Sequence, residues 1–73
     1  MEPIMDILFY VKVCFVKPDG LRTYIKTQVV LEDAFNTQMF NRIACDEAIE
    51  AVLSYYTGEY TSVSAYVTRI KSL

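Results

Sequence analysis

The chain has no histidine and no tryptophan, and only two glycines, two prolines and two cysteines in 73 residues. Each shortage excludes something. Without histidine, no side chain has an ordinary pKa near neutrality, so a general base would need a shifted carboxylate, lysine or cysteine. Two glycines are too few for a phosphate-cradling loop, and no GxSxG, GxGxxG, P-loop or HExxH pattern occurs. Cys14 and Cys45 are far apart and form no CxxC or zinc spacing, so free thiols are expected rather than a disulfide. Cys14 falls among hydrophobes, and Cys45 adjoins Asp46, which opposes thiolate formation. The expectation is a protein that is not an enzyme, with no metal site and no cofactor.

Long apolar runs are lacking too. The main one, Ile7 to Val16, is apolar or aromatic at nine of its ten positions, with Lys12 the only charge. It is too short to span a bilayer, and Glu2 and Asp6 precede it where a secretory signal carries positive charge. No membrane association is expected, and the expected location is cytoplasmic, the host cytoplasm if the chain is viral.

What is present is a compact α+β pattern. At 53% hydrophobic residues and a net charge of −2, disorder is excluded. Residues 1–73 read as a single small domain, with 1–5 a flexible lead-in. Ile7 to Val16 reads as the central strand, its odd positions (Ile7, Phe9, Val11, Val13, Phe15) forming an apolar face. Lys17-Pro18-Asp19-Gly20 is a turn signal, and Leu21 to Val30 alternates as the second arm of a hairpin. From Leu31 to Ala44 the pattern is ambiguous between helix and strand. Glu32 and Asp33 suit a helix start, and Phe35, Met39 and Ile43 repeat at four-residue spacing, so helix is favoured. Cys45, Ala48, Ile49, Val52, Leu53 and Tyr56 form a second, rotated stripe. The rotation predicts a break or kink near Ala44. Asp46 and Glu47 then sit in a first turn favoured by the helix dipole, and Gly58 is expected as a left-handed cap. Thr61 to Lys71 reads as the last strand, with Ile70 breaking its phase and placing a bulge or the strand's end near Arg69. The predicted fold is β-β-α-β, one three-stranded antiparallel sheet of order 2-1-3 with helix packed on one face.

Two surfaces stand out. Residues 31–60 carry a net charge of about −5, counting Lys and Arg against Asp and Glu. Within them Asp46, Glu47, Glu50 and Glu59 form a candidate acidic docking face for a basic partner. On the even face of the hairpin, Tyr10, Lys12, Arg22, Tyr24 and Lys26 form a candidate surface for a partner or for self-association as a homodimer, made apolar in part by Leu8, Cys14 and Val16. Tyrosines interleaved with cations on an open sheet also suit single-stranded nucleic acid, but an acidic total works against phosphate affinity, so nucleic acid ranks below protein as a partner. Three of six tyrosines, Tyr55, Tyr56 and Tyr60, gather where the helix is expected to end. In size, charge and architecture the chain is similar to small acidic proteins that phages and mobile elements encode to block host machinery. That similarity implies an inhibitor acting by stoichiometric binding to a host protein, and it carries over no residue. The alternative expectation is a small homodimeric nucleic-acid-binding protein using the Tyr/Lys/Arg sheet face.

Overall fold

A computed structural model describes residues 5–34 and 38–73. Strand β1 spans Met5–Val16, β2 Arg22–Ala34 and β3 Ser62–Ser72, with the helix α1 at Gln38–Leu53 between the last two. The sheet is antiparallel throughout, in the expected order β2-β1-β3. The central position of β1 follows from its sequence. Among the described residues it is the only strand whose inward face is wholly apolar and large, and Ile7, Phe9, Val11, Val13 and Phe15 are each at most 2% exposed. Helix α1 packs Ala44, Ala48 and Val52 onto that face. Two of these three are alanines, which lets the helix backbone approach the sheet closely.

Lengths explain how the face is completed. A helix of 16 residues runs about 24 Å, whereas β1, with 12 residues, extends about 40 Å. The helix therefore cannot cover the whole strand. At the Phe15 end an aromatic stack takes over: Tyr56 lies parallel to Phe15 at 3.9 Å, and Tyr60 meets both rings edge-on. Tyr56 is half-buried and Tyr55 is exposed.

The hairpin turn forms as expected. Gly20 adopts φ 88°, its N–H donates to the Lys17 carbonyl at 2.9 Å, and the Leu21 N–H donates to Asp19 Oδ1 at 3.0 Å. The expected bulge in the last strand is also present. Tyr10 pairs with Arg69 and Val11 with Val67, leaving Thr68 without a cross-strand partner.

Six expectations need correction. Strand β2 does not stop at Val30 but continues through Ala34, because β1 begins at Met5 and supplies a partner, Met5 opposite Ala34. Met5 is thus strand rather than lead-in; the rest of that lead-in, like Phe35, lies outside the described residues. Glu32 and Asp33 make a bulge opposite Asp6, not a helix start, and Asp33 takes φ 52°. No break occurs at Ala44. The helix is continuous from Gln38, its buried stripe is the Ala44, Ala48, Val52 row, and Met39 and Ile43 are exposed. Asp46 and Glu47 consequently lie mid-helix, beyond reach of a first-turn dipole effect. Gly58 is not a left-handed cap, since the helix ends at Leu53 and Gly58 is not among the positive-φ residues. It leaves room for a ring instead: a Cβ there would stand 2.5 Å from the Tyr56 hydroxyl oxygen.

Candidate binding face

The side of the sheet opposite α1 is covered by no described element. Period-two alternation brings Tyr10 and Lys12 of β1 to this face beside Arg22, Tyr24 and Lys26 of β2, so all five hairpin residues picked from the sequence share one surface. The register is informative. Lys12 stands directly opposite Lys26 on one side and Tyr66 on the other. Like charges directly opposed in an antiparallel pair are destabilising, by roughly 0.2–1 kcal/mol. The Lys12 ammonium lies over the Tyr24 ring, 5.3 Å from its centroid. That contact gives the cation a partner but does not neutralise it.

Strand β3 adds what counting from sequence missed. Counting by twos from Val63 places Arg69 on the core side. The extra residue at Thr68 reverses the phase, so Arg69 comes over the Tyr10 ring at 5.4 Å while Ile70 turns towards the core. The Thr68 hydroxyl donates to the Tyr10 carbonyl at 3.2 Å across the bulge. Lys71, opposite Leu8, joins the same face. Ile70 was the available signal: an apolar residue out of phase with Val63, Ala65 and Val67.

Between these groups is an open depression of about 420 Å³, lined by Tyr10, Lys12, Lys26, Gln28, Thr68 and Arg69 among others. Three cations therefore converge on one concavity. The face is less apolar than its composition suggests. Cys14 is 7% exposed, and Leu8 and Val16 are half-buried. The end of the sheet carrying Asp6, Glu32 and Asp33 is acidic, with the Asp33 N–H donating to Asp6 Oδ1 at 3.4 Å.

The second predicted surface is split by the fold. Asp46, Glu47 and Glu50 are exposed on the outer side of α1. Glu59 is not with them. It lies past the helix, bordering the hairpin turn beside Lys17 and Asp19. Among the described residues no group of three or more His, Cys, Asp or Glu is arranged to hold a metal ion. Both cysteines are free. Burial pushes the Cys45 thiol up, and the neighbouring Asp46 carboxylate pushes it further in the same direction. No helix among the described residues is long and apolar enough to cross a membrane.

Compared with known proteins, the chain matches no family model, no curated protein and no solved structure.

Proposed function

We propose that the protein is a non-enzymatic binding module that seats an anionic macromolecule on the uncovered face of its sheet. One observation carries this reading: Lys12, Lys26 and Arg69, from three different strands, converge on a single depression, with Lys12 and Lys26 directly opposed. A fold gains nothing from placing like charges face to face, whereas an anion between them removes the repulsion. The same repulsion argues against a homodimer formed by stacking two such faces, since each copy would bring its own cations to the contact.

The exposed Asp46, Glu47 and Glu50 favour a second reading, a protein with a basic surface docked on the outer side of α1, as an inhibitor of host machinery would require. Affinity capture separates the two. Partners are recovered with wild type, with Lys12→Glu/Lys26→Glu and with Glu47→Lys/Glu50→Lys. Loss of the partner in the first variant alone supports the sheet face. Loss in the second alone sinks it.

A further inference from the structure

We infer that the occupant of the sheet face is single-stranded nucleic acid, held by its phosphates in the three-cation depression and by its bases on the surrounding tyrosines. This rests on the reading that the face takes an anion, and goes further by naming the anion's chemistry.

Charge alone would suit an acidic peptide equally. The rings decide between them. Tyr24 and Tyr66 are 49% and 48% exposed, so both side chains are within reach of a planar partner. Tyr66 stands opposite Lys12, and the cations over Tyr24 and Tyr10 are Lys12 and Arg69. A ring thus adjoins a cation at three places on the face: Tyr66 and Tyr24 beside Lys12, and Tyr10 beside Arg69. A nucleotide presents a matching pair, an anionic phosphate beside a flat base, and each stacked base contributes enough to show in affinity. An acidic side chain has no ring to meet the tyrosines. Double helices fit poorly, because their bases are already stacked and cannot splay onto a flat sheet.

The acidic total does not forbid this. Of the α1 carboxylates none lines the three-cation depression, although Asp46 borders a second depression that reaches Tyr66; fields between exposed charges are screened beyond about 8 Å at physiological salt. Asp6 is six residues along β1 from Lys12, about 20 Å away in an extended strand. Among the described residues, three cations and no carboxylate line the depression.

The test uses the full chain and three probes at about 0.15 M salt, where the Debye length is about 8 Å: a short oligothymidylate, its abasic phosphodiester counterpart, and poly-glutamate of matching charge. With no tryptophan in the chain, intrinsic tyrosine fluorescence reports directly on ring stacking. The expected result is oligothymidylate binding with tyrosine quenching, and abasic binding weaker by at least about tenfold. Tyr24→Leu and Tyr66→Leu should weaken only the base-containing probe. Equal binding of all three probes without quenching overturns the nucleic-acid assignment and leaves the anionic-partner reading standing. No binding of any probe overturns both. The abasic comparison needs only wild-type protein, so a variant that failed to fold would not blur the outcome.

Discussion

Residue by residue, the chain keeps several side chains where folding alone would not put them. Lys26 is the sharpest case. Lys26→Glu places a carboxylate opposite Lys12, so it should stabilise the fold by about 0.2–1 kcal/mol while reducing affinity for any anion on the face. Chemical denaturation together with a binding assay reads both effects. A destabilised variant would show that the lysine pair is already compensated in the fold. Gly58 behaves oppositely, as a purely architectural residue. Gly58→Ala pushes a methyl group against the Tyr56 ring, which cannot retreat without leaving Phe15. Overpacking of this kind typically destabilises by about 1–3 kcal/mol, a melting-point drop of several degrees in a domain this small. The same substitution in a Tyr56→Ala background should be nearly neutral, because the obstacle is gone. Cys45 should react slowly. Its thiol stays protonated to higher pH than a free one, through burial first and Asp46 second, so iodoacetamide should alkylate it more slowly than an unstructured cysteine peptide at pH about 8. Its linkage sign follows: the contribution is fully present below the unfolded thiol pKa and is lost as pH rises through the folded one.

At the level of elements, the strands were legible and the helix boundary was not. The reason lies in Glu32 and Asp33. Two adjacent carboxylates before an amphipathic stretch are the ordinary mark of a helix start. Here they serve a bulge, because β1 extends back to Met5 and needs a partner to match it. Long-range pairing overrode local preference, and nothing in residues 31–34 alone announces the length of β1. The continuity of the helix through Ala44 has a similar origin. Two stripes can be read from Phe35 onward, but the helix needs only one, and the small Ala44 and Ala48 supply it by letting the backbones close up. Apolar size misled here: Met39, Ile43 and Leu53 look like core and are exposed. The same error hid Arg69 from the binding face, since a single bulged residue reverses every assignment after it. A direct consequence concerns Ala48. Ala48→Leu would improve a hydrophobic pattern on paper, yet its Cβ position is fully buried against β1. It should destabilise by at least about 1–3 kcal/mol in thermal unfolding. A stabilised variant would mean that the helix stands off the sheet.

Across the whole molecule, charge is partly sorted by side, with Asp6 at one end of the sheet and Arg42 on α1 as exceptions. The formal net charge is −2, which by itself predicts retention on an anion exchanger and passage through a cation exchanger. The fold predicts otherwise. One broad surface carries Lys12, Arg22, Lys26, Arg69 and Lys71, and the outer side of α1 carries Asp46, Glu47 and Glu50. Each resin meets one side at a time, and fields beyond about 8 Å are screened at physiological salt. At neutral pH and moderate salt the protein should therefore be held by sulfonate resin as well as by quaternary-amine resin. Lys12→Gln/Lys26→Gln should release it from the first and leave it bound to the second. Passage of the wild-type protein through sulfonate resin under those conditions would mean that the acidic end at Asp6, Glu32 and Asp33 cancels the sheet's field, and the anion-binding assignment would fall with it.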